Sequence, residues 1–98
     1  MTGIWNLILK SPVGKIRGTV DVVEENGVLT GTMTADGNDT PTAIKDGVIK
    51  DGEYTMVVEM NTPFGMTDIK LVGKVDGDTT TGKAHAKMLS MMYEGTRQ

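Results

Sequence analysis

Chemistry in this chain would have to come from very few side chains. There is one histidine, His85, two tyrosines, Tyr54 and Tyr93, and no cysteine among 98 residues. A lone histidine cannot assemble a multi-histidine metal site, and it serves a Ser-His-Asp triad only where the fold delivers both partners. Without cysteine there is no thiolate nucleophile, no disulfide and no cysteine-held zinc or iron–sulfur cluster. Carboxylates such as Asp21, Glu24, Glu53, Glu59, Asp68 and Asp78 fall at turns or outward positions, where they serve solubility and protect edges. Asp76-Gly77-Asp78 starts like a calcium loop but lacks the remaining ligands, so it reads as a hairpin turn. Gly14, Gly18, Gly27, Gly31 and Gly37 form neither a dinucleotide fingerprint nor a Walker A loop. We therefore expect no catalytic residue, no metal and no cofactor. An enzyme would need an acid or base such as Tyr54 or Glu59 to converge with His85 in one cavity, as in a barrel isomerase or cyclase.

The elements that would position these residues are strands. Turn signals recur at Ser11-Pro12-Val13-Gly14, Glu25-Asn26-Gly27, Asp36-Gly37-Asn38, Asp46-Gly47, Asp51-Gly52, Thr62-Pro63-Phe64-Gly65 and Asp76-Gly77-Asp78. Asn-Gly and Asp-Gly suit two-residue hairpins, whose type I′ turns need positive φ at both central positions. The stretches between them are too short for stable helices and alternate with period two. Ile16, Gly18, Val20 and Val22 share one face, as do Ile69, Leu71, Gly73 and Val75, and Tyr54, Met56, Val58 and Met60. Thr80, Gly82, Ala84, Ala86 and Met88 face inward, leaving Lys83, His85 and Lys87 outside.

An internal repeat supports this pattern. Aligning Pro12 with Pro63 gives an offset of 51 residues, which also places Trp5, Leu7 and Leu9 on Met56, Val58 and Met60, and Thr30-Gly31 on Thr81-Gly82. The expected fold is all-β: one domain over residues 1–98, an antiparallel up-and-down meander of about eight strands. Closure into a small barrel removes the unpaired edges that a sandwich would expose.

Glycine is abundant, 13 residues, and the apolar fraction is 38%, which suits short strands and tight turns. A net charge of −3 supplies no basic field for phosphate backbones, so nucleic acid is not an expected partner. No stretch approaches the roughly 18 apolar residues of a membrane span, so we expect no membrane insertion. The N-terminus, Met1 to Trp5, enters a strand pattern without the basic flank and apolar run of a signal peptide, which points to a cytoplasmic protein.

Eight methionines stand out. Flexible thioethers fill irregular cores and also suit adaptable apolar surfaces. With Thr80, Gly82, Ala84 and Ala86 giving one inner wall little bulk, the space left is either closed by a flattened barrel or occupied. Met33, Met56, Met60, Ala84 and Met88 would line it, and Tyr54 would supply a polar contact. Phe64 sits at a turn tip, where it either caps a barrel mouth or is an exposed contact.

Gly3-Ile4-Trp5 on the first strand and Gly95-Thr96-Arg97 on the last resemble the signature of calycins, the lipocalin-like, fatty-acid-binding-protein-like and avidin-like barrels. The resemblance implies that Trp5 packs at the closed end with Arg97 across its ring. The chain as a whole also resembles a set of short bacterial proteins patterned G-x-W, P-x-G, L-T-G-T, D-G-x-x-x-D-G, T-P-x-G, G-x-V-D-G-D and G-T-R, here running from Gly3 to Arg97, with which no established activity is associated. The leading functional expectation is binding of a small apolar ligand in the barrel interior. The alternative is a structural or interaction module, such as a homodimer, without a small-molecule ligand.

Overall fold

A computed structural model of the chain describes residues 1–11, 14–35, 41–62, 65–86 and 90–98, including all of their side chains except those of residues 11, 60–62 and 65–66. Its strands are β1 (Gly3–Ser11), β2 (Gly14–Glu25), β3 (Val28–Ala35), β4 (Thr42–Ala43), β5 (Lys45–Lys50), β6 (Glu53–Thr62), β7 (Gly65–Asp76), β8 (Thr79–His85) and β9 (Ser90–Arg97). Neighbours follow the order β2-β1-β9-β8-β7-β6-β5-β3, and a β2–β3 pairing closes the ring. This is the expected all-β barrel of eight antiparallel strands. The short β4 is an addition, pairing with Thr32 and Met33 of β3. No helix occurs among the described residues.

Turn chemistry sets the hairpins. Asn26 and Gly27 have φ of 53° and 78°, and Asp51 and Gly52 have 54° and 80°, the two positive angles of a type I′ turn, whose twist matches the flanking strands. Gly77, at 61°, opens a type II′ turn between β7 and β8. The expected turn centres Pro12-Val13, Asp36-Gly37-Asn38 and Pro63-Phe64 lie outside the described residues.

Asp46-Gly47 behaves differently from expectation. It is a bulge inside β5, because the β5–β6 register steps from Lys45↔Val57 to Val48↔Thr55 and leaves two residues opposite Met56. Asp46 has φ of 50°, and a side chain at Gly47 would strike the Leu29 carbonyl oxygen. A bulge demands the same positive φ and close approach as a turn, so the dipeptide signals either.

Strand parity holds. Val20, Val22, Ile69, Leu71 and Ala84 are buried, while Lys83 and His85 are exposed. The molecule's two shorter extents, 23 and 20 Å, are similar. Two pairs of strand pairings have registers 51 residues apart: Gly3↔Val22 in β1–β2 and Tyr54↔Gly73 in β6–β7, and Glu25↔Val28 in β2–β3 and Asp76↔Thr79 in β7–β8.

Candidate functional site

The interior is built by rungs that run across strands. One rung is Tyr54–Gly73–Gly82–Tyr93, on β6, β7, β8 and β9 in turn. Two rings at its ends flank two glycines, and the rings reach inward over them. A Cβ on Gly73 would lie 2.6 Å from the Tyr93 hydroxyl and 2.8 Å from that of Tyr54, and one on Gly82 2.7 Å from Tyr93. Elsewhere the Met33 methyl lies 3.0 Å from where a Gly18 Cβ would be, and Leu7 covers Gly95. At Gly82, the thin inner wall read from the sequence is therefore roofed by a long side chain from a neighbouring strand.

The hydroxyls form a relay whose direction is fixed by proton count. Thr80 Oγ1 lies 2.8 Å from the Lys74 carbonyl oxygen, which only accepts, so the threonine proton is spent there. Tyr54 must then donate to Thr80 Oγ1 across 2.6 Å, and Tyr93 must donate to Tyr54 across 2.6 Å. Burial pushes the Tyr93 phenol far above its ordinary value, reinforced by the neighbouring Tyr54. Burial also raises Tyr54, against the hydrogen bonds it shares with Thr80 and Tyr93, which lower it. Both phenols stay neutral at any physiological pH, so the relay anchors and orients groups and does not act as a base.

The next rung is Met56–Leu71–Ala84–Met91, with no polar side chain. Of the expected lining residues, Met33, Tyr54, Met56 and Ala84 all belong to one buried core. Met56 and Ala84 are brought together on either side of Leu71, whereas Met33 stands on β3. The side chain of Met60, all of Met88 and all of Phe64 lie outside the described residues. Tyr93, left without an assigned face by sequence reasoning, is buried; the exposed Met92, Glu94 and Thr96 that alternate with it are the signal that could have placed it.

The Trp5 ring is wholly buried, and the Arg97 guanidinium lies over it, 4.9 Å from its centroid. Trp5 Nε1 donates to the Met1 carbonyl at 2.8 Å. Arg97 donates to the carbonyls of Thr2 at 3.2 Å and Gly77 at 3.0 Å.

No family model matches the chain, and no curated protein does. Two solved barrels share its fold. A de novo designed fluorescence-activating β barrel is 20% identical, with a TM-score of 0.58 over all of this chain and 94% of that one. A redesigned β barrel, mFAP1, bound to DFHBI, is 12% identical, with a TM-score of 0.63 over 99% of this chain and 94% of that one. At such identities the likeness is one of fold.

Outside the barrel, the groups an enzyme reading would need stand apart. Tyr54 is buried, His85 is exposed, and the Glu59 carboxylate pairs with Lys45 Nζ at 3.6 Å. The described residues also form an open groove of about 960 Å³ on the outer face, floored by β5 to β9 and lined by Val48, Thr55, Val72, Lys83, His85 and Met92 among others. Sequence reading missed it, because it depends on the register of five strands.

Proposed function

We propose that the protein binds a small apolar molecule inside the barrel, on the side of the tyrosine rung where Met56, Ala84 and Met91 stand. The observation that carries this reading is the composition of the interior: a continuous apolar wall with a single polar device, the Tyr93–Tyr54–Thr80 relay, beside it. Ligand sites are mostly apolar with a few placed polar groups. Met33 and Met56 can change rotamer to admit a guest at small cost. The likeness in fold to a barrel bound to DFHBI supports the same reading. We further place the chain with calycin-like barrels on the strength of the Trp5–Arg97 contact, and read its shared registers as the mark of duplication.

The test uses N-phenyl-1-naphthylamine, an uncharged fluorescent probe, with displacement by fatty acids and terpenoids. Saturable uptake at one molecule per barrel is expected, weakened by Ala84→Leu, which fills the wall, and strengthened by Met56→Ala, which opens it. Absence of uptake, or uptake indifferent to both changes in folded protein, removes the proposal. Native mass spectrometry of protein taken directly from cells would then identify the guest.

A further inference from the structure

The outer face carries a second feature that interior binding does not use. Following the pairings across the ring, Val28, Val48, Thr55, Val72, Lys83, Met92 and Lys10 occupy one continuous outward rung on β3, β5, β6, β7, β8, β9 and β1. Four of the six large apolar side chains exposed on the described surface belong to it: Val28 at 49%, Val48 at 52%, Val72 at 38% and Met92 at 62%. Exposed apolar residues scattered singly need no explanation, but these are aligned by register into a stripe. From Val48 to Met92 the stripe crosses four strand spacings, about 19 Å at ~4.8 Å each, along the 960 Å³ groove, a volume that suits a small molecule.

Charge selects the occupant. The acidic side chains beside the stripe are largely neutralised in place: Glu94 pairs with Lys10 at 3.5 Å and Glu53 with Lys74 at 3.5 Å. Lys83 has no acidic partner among the described residues, and it stands within the apolar rung between Val72 and Met92. The groove lining holds Lys10, Lys50, Lys74 and Lys83 against Asp51, Glu53 and Glu94, a positive balance on a chain whose net charge is −3. An ammonium inside an otherwise apolar strip favours a ligand that is apolar along its length and anionic at one point. A second copy packed groove to groove would instead set two positively balanced faces against each other.

We propose that this outer groove binds an amphipathic small-molecule anion, with its carboxylate or sulfonate at Lys83 and its apolar body along Val72, Thr55 and Val48. The groove lies over the outer side of the tyrosine rung, whose Tyr54, Gly73, Gly82 and Tyr93 also line it, whereas Met56, Ala84 and Met91 of the interior site do not. The probe is 8-anilinonaphthalene-1-sulfonate, titrated by fluorescence into wild type and into Lys83→Glu, Lys83→Arg and Val72→Thr, all exposed positions whose folding is checked by circular dichroism. Charge reversal should weaken binding about tenfold, exchanging a surface attraction for a repulsion, Arg should keep it, and Val72→Thr should weaken it severalfold. Added salt should weaken wild-type binding and, by screening the repulsion, slightly strengthen binding to Lys83→Glu. Uptake of the uncharged naphthylamine should be the same in all four proteins, so failure of the groove and failure of the interior reading are told apart. Anionic probe binding that ignores Lys83→Glu and Val72→Thr, or that is lost only with Ala84→Leu, overturns the proposal. So does a concentration-dependent dimer in sedimentation that Met92→Glu dissociates, which would assign the stripe to contact between copies.

Discussion

Strands β1 to β3 and β6 to β8 share their registers 51 residues apart, yet they fill the same positions differently. In the first set the rung Gly3–Val22–Gly31 puts its bulk on the middle strand, with the aliphatic Leu29 nearby on β3. In the second, Tyr54–Gly73–Gly82 empties the middle strand and arches a ring over it from the edge, and Leu29 gives way to Thr80, which anchors the phenol. The comparison separates two layers of specification. Turn residues and strand parity fix where a rung lies, and the distribution of bulk along it decides whether the core there is purely apolar or hydrogen-bonded.

The sharpest way to break this contrast is to give the second set a side chain where it depends on having none. Gly82→Ala places a methyl against the Val72 carbonyl oxygen and, at 2.7 Å, against Gly73 Cα and the Tyr93 hydroxyl. Two of the three obstacles are backbone and cannot rotate away. The expected loss is about 3 kcal/mol, the upper end of ordinary overpacking, measured by urea unfolding. A loss below about 1 kcal/mol would mean that the rings do not roof the glycines.

Alkaline pH probes the same rung without mutation. Both phenols have folded-state values raised by burial, so their contribution to stability is fully present below pH 10, the ordinary tyrosine value, and is lost as pH climbs above it. The unfolded chain releases protons that the folded one retains. The slope should approach about 1.4 kcal/mol per pH unit for each tyrosine, and double substitution by phenylalanine should flatten it. The first set, with no tyrosine, contributes nothing to this slope.

The fixed direction of the relay predicts unequal effects of removing single hydroxyls. Tyr54→Phe strands the Tyr93 proton without an acceptor and leaves Thr80 Oγ1 without a donor, so about 2 kcal/mol is expected. Tyr93→Phe removes only the terminal donor and should cost about 1 kcal/mol. Equal losses from the two variants would reverse or dissolve the assigned direction.

How much of this was legible in the sequence follows the same division. Alternation placed Val20, Leu71, Ala84 and His85 on their correct faces, and Asn26-Gly27 and Asp51-Gly52 announced their hairpins, because both signals are local. Asp46-Gly47 was misread as a turn because bulges and turns ask the same φ of the same residues. The roofing of Gly73 by Tyr93 was not legible, since it joins positions on different strands through register and a side chain's reach. The groove was hidden for the same reason: Val48, Val72 and Met92 each look like an isolated lapse from polarity until pairing lines them up.

A comparably small effect is expected at the end of the barrel where Trp5 stands, to which both sets contribute. Arg97 spans three features there, stacking on Trp5 and donating to the carbonyls of Thr2, which precedes β1, and of Gly77 in the β7–β8 turn. Its Nε sits 3.2 Å from Asp78 Oδ1 but without hydrogen-bond geometry, and Asp78 is exposed, so that pair adds little. Position 56, the counterpart of Trp5, is methionine and has no such cation. Arg97→Ala should cost about 1 kcal/mol, less than the sum of a cation–π contact and two bonds to carbonyls, because the side chain is partly exposed and water replaces part of what is lost. Arg97→Lys should recover only a minor share, because an ammonium cannot stack its plane on the indole while forking to two acceptors. Full recovery by lysine, read by urea unfolding and by the near-ultraviolet signal of Trp5, would show that charge alone holds this end and that the planar contact is incidental.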